Sequence, residues 1–334
     1  MKKILVLQTA FLGDVIMSTP IFKGLKKIYP DSLIDVLVTR QNKDILKNNP
    51  HIHKIIIFNK ANVVAKIISM INLIIQFRKT RYDLAVSVQG SLTSSLLMVL
   101  SGISQRVGFY RQKLLTNPVN IPKGLHIRER VGLLLQELNK SDYDLNTELF
   151  TSSADMKTID GLIEDGSNFR LGIAPGSIRE TKKWPYNYFI ALLNDLPVTI
   201  DVYLIGGPTD ISLARQILEK TINTTVKNTI GSLSLLESTE LISRMDLMLT
   251  NDSAPLHMAN AVDTPVFAFF GPTVKRFGCY PYREKDKILE VDLYCRPCGK
   301  HGEKRCPEKH FQCMKNITPA HVLETIKHFM QNYE

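Results

Sequence analysis

Short apolar runs alternate with amphipathic segments along this chain. "ILVLQ" (4–8), "LIDVLV" (33–38), "KIIIF" (54–58) and "DLAVSV" (83–88) predict strands, and helical spacing predicts helices over Asp14–Ile28, 41–48, 62–81, 91–100 and about 127–138. Continuous apolar strands separated by helices of this length predict a parallel sheet buried on both faces. A polar stretch, "NKSDYDLNTELFTSSAD", closes this half, and the pattern then restarts. Strands are predicted at 169–175, 199–207, "LMLT" and 265–270, with helices at 185–196, Asp210–Lys220 and Leu235–Arg244. The expected fold class is therefore α/β, with two Rossmann-like domains, 1–155 and 156–334, whose parallel sheets face a cleft. A last helix, about Pro319–Asn332, can pack on either half.

"VVAKIISMINLIIQF" (Val63–Phe77) is too short and too polar to span a bilayer. Positions 62, 66, 69, 76 and 80 are polar at helical spacing, which predicts a mostly buried packing helix with a narrow wet stripe. Contact with a membrane surface is the alternative. The N-terminal "MKKILVLQTAFLGD" has the lysines of a signal peptide, but Gln8 and Asp14 interrupt it and no small-x-small cleavage pattern follows. A buried first strand and a cytoplasmic protein are expected.

With 44% hydrophobic and 22% charged residues, the 334-residue chain has the composition of a globular protein. Its net charge of +10 favours acidic partners: nucleic acid, anionic lipid head groups or phosphorylated small molecules. Aromatics at 8%, with no recognised nucleic-acid module, argue against nucleic acid.

In parallel sheets, ligands sit at the carboxyl ends of strands. The loops expected there are "QTAFLGD", "QGSLTSS", "APGSIRETKKWP", "GGPTD", "TNDSAPLH" and "GPT", all small, polar or glycine-bearing. Two of them suit phosphate. "TNDSAPLH" offers helix N–H groups and the Ser253 hydroxyl, and "GSIRETKK" offers Ser177, Thr181, Lys182 and Lys183. The same residues have plain readings, with Asp252 or Ser253 as helix cap and the lysines as solvated surface. Asp14, after Gly13 at a helix start, is either a dipole-favoured surface acid or a general base. There is no Walker loop, no G-x-G-x-x-G after the first strand and no D-x-D pair.

"FLGDVIMSTPIFKGLKKIYP", "APGSIRETKKWPYNYF" and "TNDSAPLHMANAVDTPVFAFFGPT", in this order, resemble the heptosyltransferases of lipopolysaccharide core assembly, glycosyltransferase family 9; "VQGSLTSSLL" and "RVGFYR" extend the resemblance over essentially the whole chain. It implies a GT-B fold with the acceptor on the N-terminal domain and ADP-heptose on the C-terminal one. It also implies an inverting transfer of heptose to the inner core (Kdo/heptose) of lipopolysaccharide, at the inner membrane face of a Gram-negative-type bacterium. Asp14 corresponds to the base and Lys182 to the cation that neutralises the diphosphate leaving group. Gly13, Ser177, Thr181, Leu233, Asp252, Ser253, Ala254 and His257 fall at donor-binding positions, Leu233 beside adenine. The tandem of "TNDSAPLH" and a Cys-rich tail looks closer to the second heptosyltransferase of core synthesis than to the first.

Gln89, Arg106, Arg111, His126 and Arg130 are candidates to meet the acidic acceptor, each with an ordinary surface cation or polar group as its plain reading. Cys295, Cys298, Cys306 and Cys313 stand in a C-x2-C-x7-C-x6-C run, with His301 and His310 nearby. They are a candidate structural zinc set; the alternative is a loop of reduced thiols. The transfer itself is expected to need no cofactor. Rival functions are transfer of another nucleotide-activated sugar on the same scaffold, a nucleotide-sugar epimerase, and a zinc-stapled nucleic-acid binder.

Overall fold

In the structure, a computed structural model that describes residues 1–109, 114–163, 166, 168–223 and 225–332, the chain divides into two units, Met1–Phe150 and Thr151–Glu334. Unit 1 holds six strands: β1 (Lys3–Leu7), β2 (Leu33–Thr39), β3 (Lys54–Phe58), β4 (Leu84–Ser87), β5 (Gln105–Phe109) and β6 (Asn117–Val119). All pair in parallel, in the order β3-β2-β1-β4-β5-β6. Unit 2 holds β7 (Phe169–Ala174), β8 (Ile200–Leu204), β9 (Val226–Asn228), β10 (Leu247–Asn251), β11 (Val266–Phe269) and β12 (Lys287–Leu289). Their order, β9-β8-β7-β10-β11-β12, repeats that of unit 1, again wholly parallel.

The strong apolar runs became the central strands because helices cover both faces of each sheet. Ile4, Leu5, Val6 and Leu7 are all fully buried. The three-residue edges β6, β9 and β12 carry Pro118, Lys227 and Lys287 and show no apolar alternation, which hid them in the sequence. The segment Asp14–Ile28 forms two helices, Leu12–Met17 and Pro20–Ile28, rather than one. Pro20 has no N–H to continue the ladder, and Ser18 and Thr19 turn their hydroxyls back to the carbonyls of Val15 and Ile16. Residues 41–48 form two short 3₁₀ turns instead of the expected helix. The last helix, Pro319–Gln331, packs Val322 and Ile326 into the unit 2 core.

The helix Val63–Thr80 departs most from expectation. Only Leu73 and Phe77 are buried, while Val63, Val64, Ile67, Ile68, Ile71 and Ile75 all stand in solvent. The correction has a simple cause. The helix lies over the unit 1 core on one narrow stripe, where Leu73 and Phe77 meet Phe58 and Tyr82, so the rest of its apolar surface has nothing to cover it within the fold.

Candidate active site

In each sheet the strand order reverses beside the first strand, so the loops after the first and fourth strands flank a crevice. In unit 2 these loops follow β7 and β10, and they contain Ser177, Thr181, Lys182, Asp252 and Ser253. Lys182 Nζ and Asp252 Oδ2 are 2.6 Å apart, with side chains 15% and 7% exposed. Thr273 Oγ1, from the "GPT" loop after β11, donates to the same carboxylate oxygen at 2.7 Å. Asn251 ties the two loops together: its amide donates to the carbonyls of Pro175 and Gly176, and its Oδ1 accepts from Trp184 N at 2.9 Å.

The helix Ala254–Ala261 begins here with Ser253 as its N-terminal boundary residue and Pro255 in its first turn. No side chain caps it. Ser253 Oγ donates to the Asn251 carbonyl at 3.3 Å, and the Asp252 carboxylate is turned to Lys182 and Thr273. Neither residue fills the capping role that the sequence allowed, so the helix start presents backbone amides and the positive end of its dipole beside a lysine. Such a corner can hold a diphosphate.

The remaining expected donor residues are distributed unevenly. Ser177 and Leu233 are half-buried on loops after β7 and β9, with Ala254 at the helix start, and His257 is buried one turn along that helix. Thr181 is buried and its hydroxyl is fully engaged, donating to the Glu303 carbonyl and accepting from Glu303 N. It anchors the Cys-rich segment to the lysine loop. Lys183 pairs with Glu180 on the surface.

Asp210 was not singled out, although "GGPTD" was. Its carboxylate sits over Gly176 and leaves no room there for a Cβ. Burial pushes its pKa up, against the Gly207 N–H and nearby Lys183, which favour the charged form. Arg296 was missed as well, since a cation in a Lys-rich, Cys-rich run looks like surface. Its side chain is 4% exposed and bonds the carbonyls of Phe270, Gly271, Thr273 and Val291 together with Glu290. It thus holds the loop that carries Thr273.

The four thiols of the Cys-rich segment do not assemble a ligand set. Among the described residues no three His, Cys, Asp or Glu side chains converge as a metal-holding group. Cys298 Sγ faces the Cys295 carbonyl at 3.4 Å, and Cys295 lies 3.8 Å from His310 Nε2. Cys313 is buried against Gly271, and burial, with the neighbouring thiols, pushes its pKa up to about 11.

The corresponding crevice of unit 1 lies between the loops after β1 and β4. Gln89 Nε2 donates to Thr9 Oγ1 at 2.6 Å, and Lys60 Nζ reaches the same hydroxyl at 2.7 Å and the Thr9 carbonyl at 3.2 Å. Burial, aided by the Lys66 ammonium, pulls the Lys60 pKa down. Lys60 stands two residues past β3, in a loop without the glycine or hydroxyl cluster that marks the other strand ends. Gly13 and Asp14 follow on the short helix Leu12–Met17, both half-buried.

Three of the expected acceptor residues have backbone partners. Arg106 donates to the carbonyls of Ile103, Ser104 and Leu114, and Arg130 donates twice to that of Leu125. His126 is buried, and its Nδ1 accepts from Arg128 N in a capping box with Glu129. Guanidinium and imidazole here satisfy loop carbonyls and a helix start. Arg111 lies outside the described residues.

The profile of Glycosyltransferase family 9 (heptosyltransferase) matches residues 70–311. The chain is 27% identical over 337 residues to lipooligosaccharide heptosyltransferase 2 of Campylobacter jejuni, covering 99% of each chain. It is 29% identical to lipopolysaccharide heptosyltransferase 3 of Escherichia coli, over 79% of this chain and 82% of that one. The solved structure of ADP-heptose LPS heptosyltransferase II from Escherichia coli superposes with a TM-score of 0.80 at 24% identity, covering 99% of both chains. The expected two-unit GT-B class of fold is the one observed.

Proposed function

This chain belongs to glycosyltransferase family 9, and from that premise we propose that it transfers heptose from ADP-L-glycero-D-manno-heptose, with inversion, to the inner core of lipopolysaccharide. The preferred acceptor is a heptose already joined to the Kdo region, as in the second transfer of core assembly; relatives named heptosyltransferase 2 support that choice. The single observation that carries the donor side is the uncapped start of the helix Ala254–Ala261 beside Lys182.

In the proposed reaction the Asp14 carboxylate takes the proton of the acceptor hydroxyl. The resulting oxygen bonds the anomeric carbon from the face opposite the nucleotide, and the bond to the β-phosphate oxygen breaks. The helix amides and Lys182 stabilise the charge that collects on ADP, and Asp252, itself held by the Thr273 hydroxyl, positions the lysine. No step is routed through a metal.

The test is ADP release from ADP-heptose with a heptosyl-Kdo-lipid A acceptor. Wild type should turn over only with acceptor present. Asp14→Asn should lose about 10²–10⁴-fold in kcat with donor affinity unchanged. Full activity in that variant would remove Asp14 from the role of base. Thermal protection by a different nucleotide sugar, with none from ADP-heptose, would overturn the donor assignment.

A further inference from the structure

We propose that the outward face of the helix Val63–Thr80 docks this protein on a bilayer surface rich in anionic phospholipid. At about 100° per residue, the six solvent-facing residues fall within an arc of roughly 140° centred on Ile71. Their exposure runs from 73% at Val63 to 49% at Ile75. Scattered exposed leucines are ordinary, but a continuous isoleucine and valine stripe over three turns marks an interaction surface. The opposite stripe, Leu73 and Phe77, is already engaged in the unit 1 core.

Charge selects the occupant. Between residues 45 and 82 the sequence has seven Lys and Arg and no Asp or Glu. Lys54 and Lys79 line a shallow groove beside Ile75, and Arg78, at the end of the stripe, is fixed by the Leu100 carbonyl at 2.8 Å. An apolar face edged by cations is the pattern of a helix that lies in the interface of an anionic bilayer. Among the described residues no helix is long and apolar enough to cross a membrane, so the helix lies on the bilayer.

A second copy of the chain is a poor occupant. Residues 1–150 carry 21 Lys and Arg against 10 Asp and Glu, whereas residues 151–334 carry 21 against 22. A symmetric contact through this face would bring two strongly cationic units together. The purpose of the docking rests on the proposed reading, since an acyl-chained acceptor is held in a bilayer, but the binding can be measured without it.

The test is flotation of the full chain with phosphatidylcholine vesicles, with and without phosphatidylglycerol. The protein should float with the anionic vesicles only, and added salt should release it. Ile68→Gln with Ile71→Gln should weaken binding about tenfold or more, and Lys79→Gln about fivefold with a shallower salt dependence. All three changes are at exposed positions, and turnover of an acceptor freed of its acyl chains should stay at the wild-type rate. Equal flotation of the double variant would overturn the proposal. So would a lipid-free dimer that the same two changes dissolve, because the face would then belong to a second copy. Vesicle binding without ADP-heptose turnover would leave the docking intact and remove the heptose reading.

Discussion

The two units share one strand order, and their crevices are furnished in opposite ways. In unit 2 the loops after the first and fourth strands are locked to each other. Asn251 bridges them, Lys182 meets Asp252, Thr273 shares that carboxylate, and Arg296 and the Thr181–Glu303 pair brace the assembly from the Cys-rich segment. In unit 1 two long side chains, Lys60 and Gln89, meet on one threonine, and residues 1–150 carry 21 Lys and Arg against 10 Asp and Glu. One topology thus supports a tightly cross-bonded corner in unit 2 and a sparser meeting of long side chains in unit 1.

The comparison breaks most readily at the two lysines. Lys182→Ala should lower kcat by about 10²–10³-fold, because it removes a preorganised cation from the leaving group. Lys60→Ala should lower kcat far less and raise KM for the acceptor. Equal losses of kcat in both variants would erase the distinction between a catalytic corner and a binding surface.

Arg296→Ala sharpens the contrast in stability. Removing a buried guanidinium that satisfies four carbonyls and Glu290 should cost about 3 kcal/mol in denaturant unfolding of unit 2. A residue that merely decorated the surface would leave the transition unmoved.

The smallest effect is a pH dependence at Cys313. Its folded pKa is raised from 9.0 to about 11. Between those values the unfolded thiol ionises while the folded one keeps its proton. The unfolded state then binds fewer protons, and stability falls as pH rises from about 9 to about 11. The loss is of order 2 kcal/mol, and Cys313→Ala should flatten that part of the curve in pH-dependent thermal unfolding.

The sheets were legible because β1, β2, β4, β7, β10 and β11 are built mostly of apolar residues, which a doubly covered sheet buries. The loops at their ends were legible as a set, and Lys182, Asp252 and Ser253 do come together at one crevice. What stayed hidden depends on partners distant in sequence. Nothing local marks Thr181 as bonded to Glu303, or Arg106 and His126 as occupied by nearby backbone. Burial was misjudged for the helix Val63–Thr80, because periodicity shows that a face is apolar and not whether the fold covers it.

Trp184 is the only tryptophan in the chain. It is almost wholly enclosed, stacked on Phe269 at 4.5 Å, with its indole N–H on the Ile317 carbonyl and Lys182 two residues away. The protein therefore has one indole emitter, seated under the lysine loop in a buried aromatic pocket. Its fluorescence should lie far to the blue and resist acrylamide, and a melt followed at this wavelength reports the loosening of unit 2 alone. Unit 1, with tyrosines only, is dark in that channel, so disagreement between indole emission and far-ultraviolet circular dichroism would directly time the two units apart.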